Sequence, residues 1–367
     1  MGNDPNGRLM SLDALRGFDM FFIMGGTPLV LALCAAFGSP DGAVAQQFHH
    51  VPWDGFHFED TIFPLFLFMA GVSFPFSMAK RLANGATKAS LTLHALRRGA
   101  ILILLGLVFN NLLKFDFAHL RYPGVLQFIG FAWMVAALFY IWLGRKARIA
   151  VAVALLVGSW LFFRFVGAPD FPEAAPFSPE GNLGCWFDRT VLGPDHIYRK
   201  LFDPEGAAGL LPGIVMPMLG MFAGELLAGA RSGAQKVAFL FGAAALSLAA
   251  GLALSLSQPI VKALWSSSFV LVAGAYAAAM LALFYWIVDV KGWRRWTFFF
   301  KVIGMNSITI YMAQRIVGFR SIANFLFGGV VSLLPKALQT IGMDLAYIAV
   351  CWLFLLFLYR KKVFLKV

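Results

Sequence analysis

Three of the six histidines of the chain, His49, His50 and His57, fall within residues 49–60, which read HHVPWDGFHFED and also carry Asp54, Glu59 and Asp60. Imidazole exchanges a proton near neutral pH, and a carboxylate beside it fixes which ring nitrogen carries the hydrogen. A histidine held next to an aspartate is therefore the pair that general-base or nucleophilic chemistry requires. Spacing alone does not rank the three histidines, and it leaves both Asp60 and Asp54 as partners. Pro52, Trp53, Gly55 and Phe56 make a loop suited to folding back onto apolar surface. Asp60 has a second reading as a helix cap, because an acid at a helix N-terminus is favoured by the dipole and Pro64 follows in the first turn.

Further polar islands interrupt the apolar runs. In RLMSLDALRGFDM, Asp13, Arg16 and Asp19 recur every three residues and share one helix face, either as an ion pair that locks the helix start or as the lining of a cavity. RYPGVLQFIG supplies Arg121 and Gln127, LFDPEGAAGLLPGI supplies Asp203 and Glu205, and VKALWSSSFVL supplies Lys262, Trp265 and a run of serines. GMNSITIYMAQR puts Asn306 and Ser307 inside an apolar run, with Arg315 beyond. Each island alone reads as a turn, a cap or an interfacial aromatic. Together they fall within spans or on one side of them, the pattern of one pocket opening outward.

The elements that must position these groups are membrane helices. Hydrophobic residues make up 60% of the 367-residue chain and charged residues 13%, where a soluble domain is about half apolar and about a quarter charged. The mean hydropathy is +0.77. A bilayer core of about 30 Å takes about 20 apolar residues per helix, and the runs predict spans near 14–37, 60–79, 96–113, 124–143, 149–167, 208–229, 236–256, 267–289, 298–316 and 339–359. The expected fold is an all-α polytopic membrane protein of about ten transmembrane helices, with a short partial helix near 321–334 and one long outer loop. It is read as a single transmembrane domain over 1–367, with 168–207 as an outer cap within it.

Lys and Arg gather in alternate loops, at Lys80, Arg81, Lys88, Arg97 and Arg98, at Arg145, Lys146 and Arg148, at Arg231 and Lys236, at Lys291, Arg294 and Arg295, and at Arg360, Lys361 and Lys362. Basic loops stay cytoplasmic, so both termini are expected inside and residues 49–60 outside. The net charge of +12 thus orients helices and is not a nucleic-acid surface. No cleavable signal pattern stands at the start, and Cys34, Cys185 and Cys351 are too far apart for a disulfide framework or a CxxC metal site. There is no Walker A loop, zinc signature or GxSxG elbow.

The islands RLMSLDALRGFDM, HHVPWDGFHFEDTIFPLFLFMAGVS, RYPGVLQFIG, FDPEGAAGLLPGIV, KALWSSSFVL, GMNSITIYM and YRKKVF occur in order along nearly the whole chain. In this set the chain resembles the catalytic membrane domain of the heparan-α-glucosaminide N-acetyltransferase family and its bacterial relatives, within the transmembrane acyltransferase group. The resemblance implies transfer of acetyl from cytosolic acetyl-CoA to an amino group of a glucosamine-type sugar on the far side of the membrane. The family's catalytic histidine precedes its Trp-Asn-Gly, which ranks His50, ahead of Trp53-Asp54-Gly55, above His49 and His57. Asp54 stands where relatives carry Asn, and Met24, Gly25, Gly26 and Thr27 occupy a region where many carry Asn.

On that footing His50 is expected as general base or as acetyl carrier, with Asp60 or Asp54 orienting its ring. Arg16, Arg97, Arg98, Asn306 and Ser307 are the donor-binding candidates, with Arg294 and Arg295 as further phosphate partners. Asn306, Ser307 and Lys262 also suit an oxyanion by type. Trp53, Arg121, Gln127, Asp203, Glu205, Lys262 and Trp265 are the acceptor-binding candidates, the acids suiting a cationic amino sugar. No metal is expected. The implied partners are an amino-sugar or glycan acceptor and membrane lipid, with a homodimer left open, and the implied location is a bacterial inner membrane. A secondary transporter and an O-acyltransferase of surface polysaccharide are the competing expectations.

Overall fold

The computed structural model describes residues 9–207 and 209–365. The polar N-terminus, Ala208 and the last two residues lie outside the described residues. Nine helices among the described residues are long and apolar enough to cross a membrane: α1 (Met10–Ala36), α2 (Phe58–Ala83), α3 (Lys88–Phe109), α4 (Val125–Trp142), α5 (Arg145–Phe165), α6 (Leu210–Ala228), α7 (Gly233–Ser255), α8 (Ser267–Val290) and, last in the chain, Lys336–Arg360. The chain is an all-α, multi-pass membrane protein.

The expected span at 298–316 is built differently. It forms two short helices, α9 (Thr297–Gly304) and α10 (Ser307–Ile316), followed by α11 (Phe319–Ser332) and then α12 (Lys336–Arg360). Asn306 lies between α9 and α10 at φ −126° and ψ 24°, and a short amide side chain that competes for backbone groups favours such a break. The partial helix expected near 321–334 is α11, whose 14 residues reach only about 21 Å at 1.5 Å per residue. Helix starts follow their caps. Thr87 accepts from the Ser90 N–H at 3.2 Å and begins α3, ahead of the apolar run itself. Ser232 and Gln235 cap each other reciprocally at the start of α7.

The described residues form two compact units. The first comprises 9–50, 57–62 and 280–365. In it α1 lies so close to α9 that a Cβ on Gly17 would overlap the Phe300 carbonyl, and one on Gly304 would overlap the Asp13 carbonyl. Glycine at both positions lets the backbones touch, a usual device between membrane helices. A π-turn at Phe22–Gly26 breaks α1, and Gly25 takes φ +148° there, a value glycine alone adopts readily. Met20, Met24, Ile303, Ile310, Phe319, Ile348, Cys351 and Leu355 form the core of this unit.

The second unit comprises 51–56 and 63–279. It contains the body of α2, α3 to α7, the first part of α8, and the cap between α5 and α6. The cap holds the short helix Leu183–Phe187, a π-turn at Asp188–Leu192, and isolated bridges pairing Gly167 with Asn182 and Arg199 with Phe202. Phe163, Cys185, Phe202, Val261 and Leu264 make its apolar centre, with Trp53 and Phe177 packed against them.

Candidate active site

His50 ends the loop after the short helix Ala43–Gln47, and Asp60 sits in the 3₁₀ turn that opens α2. Both belong to the first unit. His50 Nδ1 lies 2.8 Å from Asp60 Oδ1, with the imidazole 58% exposed and the carboxylate 2% exposed. The other carboxylate oxygen accepts the His57 N–H at 3.1 Å. Asp60 therefore both caps α2 and holds His50. A carboxylate accepts, so Nδ1 carries the hydrogen and Nε2 keeps the lone pair. His57, by contrast, is turned to the His49 carbonyl at 2.9 Å through its own Nδ1. Only His50, of the three clustered histidines, has a carboxylate against its ring.

Beside this pair, Glu59 accepts from Thr27 Oγ1 at 2.9 Å, and Gln47 Oε1 accepts the Phe58 N–H at 3.1 Å, which ties the loop to the helix start. Phe22, Phe48 and Phe58 pack together around it, Phe22 and Phe58 edge to face and Phe48 tilted against both. Asp13 and Arg16 pair at 3.4 Å on α1. Asp19, one turn further, is buried with Oδ2 lacking a hydrogen-bond partner, and Asn306 Oδ1 and Thr309 Oγ1 likewise lack one. Asn306 Nδ2 reaches the Val302 carbonyl only at 3.5 Å, and Ser307 Oγ reaches the Gly304 carbonyl at 3.4 Å. Buried polar atoms are ordinarily satisfied, so this group on α1, at the α9–α10 break and on α10 has unmet bonding capacity.

In the second unit Asp54 is committed to backbone. Its Oδ1 accepts the Ile260 N–H at 3.0 Å, and Gly55 N–H donates to the Ile260 carbonyl at 2.9 Å. The segment is held in turn by Ser266 and Ser268, whose hydroxyls meet at 2.9 Å and each lie 2.9 Å from the Pro259 carbonyl. Trp53 Nε1 donates to the Phe177 carbonyl at 2.7 Å, and its ring stands edge-on to Phe202. Trp53, Asp54 and Gly55 are thus each tied to distant segments within this unit.

Arg121 is the hub of a second charged cluster. Its Nε and Nη2 donate to Asp203 Oδ2 and Oδ1 at 2.8 and 2.6 Å, and Nη2 also donates to Glu205. Asp203 additionally accepts the N–H groups of Tyr198 and Glu205, at 2.7 and 3.0 Å. Burial pushes the Glu205 carboxyl above its ordinary range, against the pull of Arg121, while Asp203 adds to the rise and Lys262 opposes it. Lys262 thus lies within electrostatic reach of this cluster. Gln127 donates to the Tyr122 carbonyl at 3.1 Å beside it in the chain. Trp265 is fully buried, in the left-handed region at φ +47°, stacked on Phe128 with centroids 4.5 Å apart. Of the two arginines on α3, Arg98 lies over the Trp133 ring at 4.2 Å and Arg97 is exposed.

Two groups here are not among the expected site residues; in the sequence Arg148 reads only as a loop charge. Asp188, next to the cap helix, accepts the Ala207 N–H at 2.9 Å, and Gly206 packs directly on its other oxygen. Burial pushes its carboxyl up to about 7. Arg148, 7% exposed, pairs with Glu225 at 2.6 Å and lies over the Tyr140 ring at 4.2 Å. Glu225 as an acid within an apolar run was the visible signal for the second; Asp188 had none. Among the described residues no group of three His, Cys, Asp or Glu side chains could hold a metal ion.

The family model described as heparan-alpha-glucosaminide N-acetyltransferase, catalytic, matches residues 8–257. Human heparan-alpha-glucosaminide N-acetyltransferase is 28% identical over 98% of this chain and 60% of its own length, and the mouse protein of that name is 27% identical over 99% and 62%. The chain thus spans about three fifths of the length of these curated relatives.

Proposed function

This chain belongs to the heparan-alpha-glucosaminide N-acetyltransferase family, and on that footing we propose that it is a transmembrane acetyltransferase acting on the amino group of a glucosamine-type sugar. The observation that carries the proposal is the 2.8 Å contact between an exposed imidazole and a buried carboxylate, in the segment where the family places its histidine. Acetyl-CoA, the proposed donor, supplies an activated acetyl group, whose C–S bond breaks as the C–N bond to the acceptor forms. His50 Nε2 takes the proton that the attacking amine releases, and can return one to the departing thiolate. A positioned base of this kind is worth roughly 10²–10⁴-fold. Asp60 holds the tautomer and stabilises the imidazolium. Direct transfer and an acetyl-His50 carrier use the same ring nitrogen.

Buried polar atoms without partners on α1, at the α9–α10 break and on α10 suit a ligand with alternating amide donors and acceptors. Asn306, Ser307 and Arg16 are the residues that would hold it. Arg121, Asp203, Glu205 and Lys262, with Trp53 and Gln127, form the acceptor side, where paired carboxylates favour a cationic sugar. We place this side on the outer face of a bacterial inner membrane, with both termini cytoplasmic. The test is labelled acetyl transfer from acetyl-CoA to glucosamine by purified protein in lipid nanodiscs. Incorporation that disappears in His50→Ala is expected; sugar uptake into vesicles with no acetylation would overturn the proposal.

A further inference from the structure

A cavity of about 570 Å³ lies between α5, the cap helix Leu183–Phe187 and the start of α6, a size within the range of about 300–1,000 Å³ typical of small-molecule sites. Leu155, Gly158 and Phe162 form one wall, Trp186 and Phe187 the other, and Leu211 closes the end. The hydroxyl in this lining, on Ser159, is already engaged with the Leu155 carbonyl at 2.6 Å. The walls therefore offer ordered water little to bond, and such a space takes hydrocarbon. Its rim is apolar and open, with Phe162, Phe187 and Leu211 39–52% exposed. Only 22% of the apolar window of α5 is buried, so the membrane-spanning wall faces lipid. A Cβ on Gly158 would meet nothing within 4 Å.

The lining itself is uncharged, but at Ala207 it adjoins charged residues of the cap. Ala207 belongs to the lining and donates its N–H to Asp188, and Glu205, bound to Arg121, is two residues before it. An apolar groove open at its rim thus borders, at Ala207, the segment that carries Asp203 and Glu205 and the carboxyl of Asp188. We infer that the groove holds the alkyl chain of a lipid-linked amino sugar, whose ammonium-bearing head meets the Asp188, Asp203 and Glu205 cluster. This rests on the N-acetyltransferase proposal and narrows its acceptor to an amphiphile that arrives laterally from the membrane.

The experiment compares methyl and hexyl glucosaminide as acceptors in nanodiscs. Each buried methylene contributes roughly fourfold to binding, so the wild type should favour the hexyl acceptor in kcat/KM by at least about 100-fold. Gly158→Phe, which fills the groove where there is room, should shrink that ratio at least about 10-fold. Equal use of both acceptors, or a ratio the variant leaves unmoved, overturns the groove while leaving N-acetylation intact. A second arm needs no turnover. A diazirine-tailed hexyl glucosaminide should label peptides bearing Leu155–Phe162 or Trp186–Phe187, and excess hexyl glucosaminide should compete where glucosamine does not. Labelling there without acetylation of either sugar supports the groove and sinks the activity. No labelling there, or equal labelling by a diazirine-tailed hexyl glucoside lacking the amine, overturns the inference.

Discussion

Asp60→Asn tests the proposed base without changing the volume of the site. The carboxylate serves two neighbours, His50 Nδ1 at 2.8 Å and the His57 N–H at 3.1 Å. An amide has one accepting and one donating end, and the backbone N–H of His57 can only donate. If the amide oxygen turned to His50, its NH₂ would face the His57 N–H in a buried site, at a cost of about 1–3 kcal/mol for the unsatisfied donor. The favoured arrangement gives the oxygen to His57 and the NH₂ to His50 Nδ1. The hydrogen then sits on Nε2, and the lone pair that would accept the amine's proton is gone. Loss of the charge-assisted bond removes a further ~1.5–3 kcal/mol of support for the imidazolium. Together these predict a fall in kcat of about 10²–10⁴-fold, with KM for acetyl-CoA little changed. Labelled acetyl transfer to glucosamine measures it, with thermal unfolding confirming that the variant is folded. Asp60→Asn added to His50→Ala should cost nothing more, since the two residues act as a unit. A folded Asp60→Asn enzyme with kcat within a small factor of wild type would refute the assignment of Asp60 as the partner of the base.

Three further outcomes are expected. Asp188 binds its proton more tightly when folded, because burial lifts its carboxyl from 3.8 to about 7 against the Ala207 N–H; the stability this confers is full below 3.8 and is lost as pH rises to about 7. Asp188→Asn should therefore melt above wild type at about pH 8, the gap closing toward about pH 4, and parallel melting curves would count against it. Arg121→Gln leaves two carboxylates, one of them fully buried, without their main counter-charge, and should destabilise the protein by about 3–5 kcal/mol in denaturant or thermal unfolding; a melting temperature equal to wild type would contradict the buried cluster. Gly17→Ala drives a methyl into the Phe300 carbonyl and should abolish the monodisperse peak in size-exclusion chromatography, whereas Gly144→Ala, with nothing near its Cβ, should keep it.

Apolar runs and loop charges, read from the sequence, determine that this is a helical membrane protein, because a chain in hydrocarbon must satisfy its backbone bonds within each span. They locate nine of the spans. They also bring His50 and Asp60 within ten residues of each other, close enough in the chain for local folding to join them. The break at Asn306 escaped, since an apolar run reads the same whether its helix is continuous or interrupted by one amide. Tertiary structure decided what no spacing could. Asp60 rather than Asp54 meets the imidazole because Asp54 is drawn to the Ile260 N–H, 206 residues away in the chain. Arg121 meets Asp203 across 82 residues, and Asp188 acquires its shifted proton affinity only by being buried against Gly206 and Ala207. Periodicity sets which face of a helix is apolar, but the partner of a buried charge is set by how distant segments pack. Burial removes water as the alternative partner, so a distant side chain or backbone group must take its place.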